Sequence, residues 1–218
     1  FRSMGIIQEL QAEIINPDAD INNVLRKALL VSHKLQLKEF EKWIKNELNG
    51  YTDTDDLPIF RKNIKGKLKF FNPYRGWCPV QFETAKYEDF MTTSCITQSV
   101  PQLLSLIRDS KGFLSMKLPP EIVRSLWKDS FIPEMETCLI FDKSVFVNII
   151  EQVKTNLLDW VLLLEDQGIS GDSVNFSISE KEKVKNSKII NNYQTNIYGN
   201  LDRSQLQQGT SESQQTSN

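Results

Sequence analysis

The sequence is short of the side chains that most often do chemistry on their own. Its 218 residues include one histidine, His33, and three cysteines, Cys78, Cys95 and Cys138. A lone histidine argues against a zinc site or a histidine-based triad. Three widely spaced thiols without C-x-x-C spacing read as reduced cytosolic cysteines, not as disulfides or zinc ligands. Neither sign of charge prevails: 26 basic residues face 28 acidic ones, a net charge of −2. That balance gives no field to draw in a polyanion, so nucleic acid is not the default partner. No apolar run approaches the roughly 18 to 20 residues that span a bilayer. Phe1-Arg2-Ser3 before Met4 reads as a few residues ahead of an initiator, not as a signal peptide. Phosphate-loop, G-x-G-x-x-G, G-x-S-x-G and H-E-x-x-H motifs are all missing. The chain therefore offers no catalytic residue, metal ligand or cofactor site, and its expected setting is the cytoplasm.

What the chain does contain is helical periodicity. Ile6, Ile7, Leu10, Ile14 and Ile15 recur at helical spacing until Pro17. Asp18 or Asp20 can cap a second helix striped by Ile21, Val24, Leu25, Ala28, Leu29, Ser32 and Leu35. A third runs near Lys38 to Leu48 and stops at Asn49-Gly50. Short connections favour antiparallel packing of these three. The link Leu35-Gln-Leu-Lys38 lacks the small or acidic residue that such a turn calls for.

Turn-formers then punctuate Tyr51 to Phe82. Ile64 to Phe70 alternates as one half-exposed strand, and Trp77 to Phe82 suggests a second. Val100 to Arg108 reads as a short helix with Pro101 in its first turn, Leu114 to Leu118 as a strand, and Pro120 to Trp127 as another short helix. From Ser144 to Gln167 the positions Phe146, Ile149, Ile150, Val153, Leu157, Trp160, Val161 and Leu164 mark a long helix. Leu158, Leu162 and Leu163 make it apolar nearly all round, which suits a central helix or an intermolecular contact.

Composition changes towards the end of the chain. Asn186 to Asn218 holds 22 Asn, Gln, Ser, Thr or Gly and 7 apolar residues, too few to fold alone. The expected fold is α+β and mainly α: a packed domain over 4–167 with a three-helix start, a small central sheet and a long last helix. A solvated linker at 168–187 and a β-prone polar tail at 188–218 complete it. Ile189, Tyr193, Ile197 and Leu201 fall at intervals of four, with Leu206 beyond. This row predicts an extended segment that pairs with copies of itself, making the protein a homo-oligomer.

The remaining candidates are ordinary. Asp53, Asp55 and Asp56 could serve a metal-dependent nuclease, but they sit where turn residues are expected. His33 reads as a packed or capping residue, and Cys78 has only Arg75 near it to lower its pKa. Lys65, Lys67 and Lys69 beside Phe70, Phe71 and Tyr74 form a weak candidate for binding nucleic acid. The plainer reading is lysines that keep an exposed strand soluble.

Several stretches resemble a known family. Val24-Leu-Arg-Lys-Ala-Leu29, Trp43 and Glu47-Leu-Asn-Gly-Tyr51 are similar to the N-terminal signature of the AbiTii domain. Leu57-Pro-Ile-Phe-Arg61, Gly66, and Ile149 to Trp160 continue the pattern, and the segment from Ile189 to Gln215 looks like tails behind such domains. The resemblance implies antiviral defence by abortive infection in a bacterial cytoplasm, with a phage or host protein as a possible partner. It supplies no catalytic residues. The leading expectation is a non-enzymatic sensor or effector that assembles through its tail. The alternatives are a metal-dependent nuclease or nucleic-acid-binding toxin, and an adaptor for a separate effector.

Overall fold

The computed structural model describes residues 5–128, 134–172, 175–186 and 197–198. Its α+β architecture begins with α1 (Ile6–Ile15), α2 (Ile21–Lys34) and α3 (Lys38–Asn49). Asp20 caps α2 by accepting the Asn22 N–H at 3.0 Å. The helices pack through the expected stripes, except that Ile15 lies past the buried face of α1 and is 68% exposed.

The junction between α2 and α3 shows how the chain manages without a glycine. The Gln36 N–H bonds the His33 carbonyl at 3.1 Å, and the Leu37 N–H bonds the Ser32 carbonyl at 2.9 Å. This pair of bonds defines a Schellman ending, and it places Gln36 at φ 61°, a conformation that glycine adopts without penalty. Leu35 and Leu37 are buried on either side while Gln36 faces solvent, so burial of the two leucines holds the turn.

The central helix is α7 (Lys143–Asp166), about 36 Å long. Asp142 caps it, accepting the Ser144 N–H at 2.8 Å. Trp160 stacks on Phe40 of α3 with ring centroids 3.9 Å apart, and α1 and α5 (Val100–Asp109) also pack against α7. The helix is not apolar all round: Leu162 is exposed, and Leu158 and Leu163 are half-buried.

The strands differ more from expectation. The run from Ile64 to Phe70 is two strands broken at Gly66. β1 (Ile64–Lys65) pairs with β4 (Thr93–Ser94), while β2 (Lys67–Asn72) joins a second sheet. Gly66 is tight against that sheet's core, since a Cβ there would lie 2.8 Å from the Leu139 side chain. The second sheet is antiparallel, in the order β3 (Gly76–Pro79), β2, β6 (Thr137–Asp142), β5 (Phe113–Lys117). Strand β3 is shorter than Trp77 to Phe82, and β6 and α4 (Ala85–Thr92) were not anticipated. One sheet face carries Leu68, Leu139 and Phe141 into the main core. On that side α6 (Pro120–Trp127) docks through Trp127, whose Nε1–H donates to the Thr137 hydroxyl at 3.0 Å.

The stretch expected as a solvated linker instead forms α8 (Ile178–Asn186). Phe176 and Val184 are buried with Ile169 against the rest of the core. Glu180 anchors the start of α8. Its carboxylate accepts the N–H groups of Ser170, Gly171 and Ser177 at 3.1, 3.0 and 2.8 Å, and the Ser177 hydroxyl at 2.9 Å. With the Glu180 N–H donating to Ser177 Oγ at 3.2 Å, this is a capping box. A single buried valine in a run of charges carries no visible periodicity, which is why the sequence pattern pointed to solvent. Among the described residues no helix is long and apolar enough to cross a membrane.

Candidate functional site

Two constellations stand out, one sealed and one open. The sealed one joins α3 to the 3-10 turn Ile59–Arg61. Glu47 and Arg61 are both 0% exposed. The Arg61 Nε–H donates to Glu47 Oε1 at 3.1 Å and its Nη2 to Glu47 Oε2, while Nη1 donates to the carbonyls of Ile96 at 3.2 Å and Gln98 at 2.9 Å. The Tyr51 hydroxyl donates to Glu47 Oε1 at 2.7 Å, and the Tyr51 ring lies 5.2 Å from the guanidinium carbon. Burial, then the Glu47 charge, push the Tyr51 phenol far above its ordinary pKa, so it remains a donor. Every partner faces inward, and no substrate can reach the carboxylate. The network ties α3, the turn and the 96–98 segment together, which is a structural role.

The open constellation is the second face of the four-stranded sheet. Residues directly opposite in an antiparallel pair share a face. Register therefore places Trp77 beside Phe71, and Pro79, Lys69, Cys138 and Lys117 in one row across four strands. Lys67, Ile140 and Ser115 form the next row, and Phe113 opposes Asp142 at the far corner. Phe71, Trp77 and Phe113 are all exposed, as are Lys67 and Lys117, while Lys69 is half-exposed. Phe71 and Trp77 meet edge to face at 5.6 Å, and in the β2–β3 turn Tyr74 is 97% exposed. None of the three lysines forms an ion pair among the described residues. The acids nearby are Asp142, at the end of β6, and Glu136, just before it. Burial raises the pKa of Cys138 within this face, with Glu136 adding to the effect, so the thiol stays protonated and unreactive.

The other candidates are dispersed. Lys65 does not join Lys67 and Lys69: it lies in β1, in the other sheet, and pairs with Asp89 of α4. Asp53 accepts the Asp55 N–H at 2.9 Å and Asp56 pairs with Lys42 at 2.8 Å, both features of a surface turn. Among the described residues no group of three or more His, Cys, Asp or Glu side chains is placed to hold a metal. His33 lies on the surface, 3.3 Å from Glu41. Cys78 lines an open groove of about 840 Å³ on the core side of the sheet edge, with Phe70, Arg75, Phe82, Tyr87 and Trp127.

Of the tail residues, Ile189, Tyr193, Leu201 and Leu206 lie outside the described residues. Ile197 is described: it is 1% exposed, in helical backbone, and part of the core cluster. It is therefore committed to its own chain and is not available for pairing between copies. Burial, with Asp56, Glu47 and Glu39 nearby, raises the pKa of its neighbour Tyr198 to about 12.

Sequence reasoning found Lys67, Lys69 and Phe71, which are contiguous. It missed Lys117 and Phe113, which reach the same face only through pairing with β6. It also missed the Glu47–Arg61 pair, whose residues it quoted in separate motifs.

A helical body sealed onto one face of an antiparallel sheet, with the other face open, defines the class: an α+β protein whose exposed chemistry is a lysine- and aromatic-bearing sheet. The AbiTii family model matches residues 5–189, from the cap of α1 to beyond the end of α8, and the chain belongs to that family, which points to abortive infection and phage defence. Comparison with curated proteins and with solved structures found no match.

Proposed function

We propose that the protein serves phage defence as a non-enzymatic sensor whose recognition surface is the open face of the β3-β2-β6-β5 sheet. One observation carries this reading. That face gathers Lys67, Lys69, Lys117, Phe71, Trp77 and Phe113 from three separate strands and leaves them uncovered, and exposed apolar surface grouped and rimmed by polar side chains marks an interaction site. Exposed polar and aromatic side chains on a rigid sheet are well placed for binding. The groups with a deeply buried charge, Glu47 and Arg61, are occupied with each other and leave recognition to the surface.

The test is a phage challenge of cells expressing the full chain. Lys67→Glu with Trp77→Ala should abolish protection at unchanged soluble protein level. Leu162→Asp, on the exposed side of α7, should leave protection intact. Equal protection by all three proteins would overturn the proposal.

A further inference from the structure

We infer that the occupant of the open sheet face is single-stranded nucleic acid, its bases stacked on the aromatic side chains and its phosphates held by the lysines. The inference rests on the reading of that face as the recognition surface and names the partner it takes.

Charge is the first argument. The whole chain is slightly acidic, yet this face carries Lys67, Lys69 and Lys117 against Asp142 and Glu136 at the ends of one strand. The cations are spread in two directions. Lys67 and Lys69 stand about 7 Å apart along β2, and Lys69 and Lys117 about 10 Å apart across β6. Such a spread suits a chain of anions better than a single carboxylate or phosphate.

Shape and aromatic content are the second. The face is the outer surface of a four-stranded sheet, so an occupant lies across its strands. Trp77 and Phe71 are about two-fifths exposed and Phe113 more than half. Tyr74 protrudes from the adjoining turn. Rings presented this way accept unstacked bases, because every base offers a π-face whatever its identity. A four-stranded sheet carrying aromatics can stack two or three bases. A duplex keeps its bases stacked inside and would leave these rings without partners. An acidic protein surface would use the lysines and pack on the Phe71–Trp77 pair as well; the spread of cations in two directions is what favours a chain of phosphates.

Two features of the binding follow. With about three phosphate contacts, the logarithm of affinity should fall against the logarithm of salt with a slope near −2. Stacking on Trp77 should quench its fluorescence. Trp43 and Trp160 are buried and Trp127 is half-buried on the other side of the sheet, so the part of the quenching that Trp77→Ala removes reports the indole of Trp77.

The experiment uses the full chain with fluorescein-labelled oligo-dT and oligo-rU of about 12 nucleotides, read by anisotropy at low salt and then titrated with salt. At least one strand should bind, with quenching of tryptophan emission. Lys67→Glu/Lys69→Glu/Lys117→Glu should weaken binding at least tenfold and flatten the salt slope. Trp77→Ala should weaken it about tenfold with little change in slope, and should remove the quenching. All substituted side chains are at least partly exposed, and circular dichroism melts confirm that each variant is folded. Failure of both oligonucleotides to bind would overturn the inference, as would binding that neither variant changes. Absent binding together with loss of phage protection by the same variants would reject nucleic acid while keeping the face as a recognition surface, and would point to an acidic protein partner.

Discussion

Replacing Arg61 by methionine tests the sealed network, because it keeps much of the volume and removes the charge and every donor. Arg61 satisfies both oxygens of Glu47 and the carbonyls of Ile96 and Gln98. In the variant, the Glu47 carboxylate stays at a fully buried position with the Tyr51 hydroxyl as its remaining partner. Breaking one side of a buried ion pair costs about 3 to 5 kcal/mol, because the other charge is left without compensation. That is a large part of the roughly 5 to 15 kcal/mol of a typical domain. At about 2 to 4 °C per kcal/mol for a chain of this size, Tm should fall by roughly 6 to 20 °C. Urea denaturation followed by circular dichroism measures the loss. The double variant Glu47→Leu/Arg61→Met removes both charges, so it should recover part of the stability, with a coupling energy above about 1 kcal/mol in the double-mutant cycle. A single-variant cost below about 1 kcal/mol, or simple additivity of the two substitutions, would refute the account of the pair.

Three further outcomes are expected. Gln36→Gly should stabilise the protein by about 0.5 to 1 kcal/mol, because glycine at φ 61° avoids the 1 to 2 kcal/mol strain of a left-handed side-chain residue and only part of that is returned as unfolded-chain entropy; unchanged or lower stability in urea melts would contradict it. Partial burial by itself would raise the pKa of Glu180, but the N–H groups of Gly171, Ser177 and Ser170 and the Ser177 hydroxyl outweigh it and bring the value down to about 2. A depressed carboxylate contributes stability above its unfolded pKa and loses it as pH falls, here between about pH 5 and pH 2. Glu180→Gln should therefore cost about 1 to 2 kcal/mol at pH 7, after allowing for solvent screening, and the difference from the parent should shrink as pH falls through about 4 and vanish only below about pH 2. Ending the chain after Asn186 should cost at least about 1.5 to 3 kcal/mol, the worth of the buried Ile197 side chain, read as a lower Tm; an unchanged Tm would contradict that packing.

The helices were legible because their stripes are local. All six helices expected (α1, α2, α3, α5, α6 and α7) fall within about two residues of the predicted bounds, since each is marked by a local apolar stripe or by a proline in its first turn. The sheet was not legible in the same way. Strand β6 is the short run Thr137-Cys-Leu-Ile-Phe, whose alternation is hidden because four of its side chains, on both faces, are at most 4% exposed. It pairs with β2 from about seventy residues earlier, and no local pattern encodes that partner. The candidate face divides accordingly: Lys67, Lys69 and Phe71 were visible as one strand's alternation, while Lys117 and Phe113 became neighbours only through β6. Lys65 was misplaced because Gly66, which reads as an ordinary strand residue, passes the chain from one sheet to the other. Ile197 was misread because its polar surroundings resemble a free tail, and the contact that buries it is tertiary.

The central claim is that the lysine-bearing sheet face is occupied during infection. Lysine-reactivity footprinting of the protein in cells, before and after phage challenge, tests it most directly. Acylation of Lys67, Lys69 and Lys117 should fall several-fold on infection, while that of Lys42 and Lys154 on the helical body stays constant. Unchanged reactivity at all three sheet lysines in cells that survive by this protein would contradict the account.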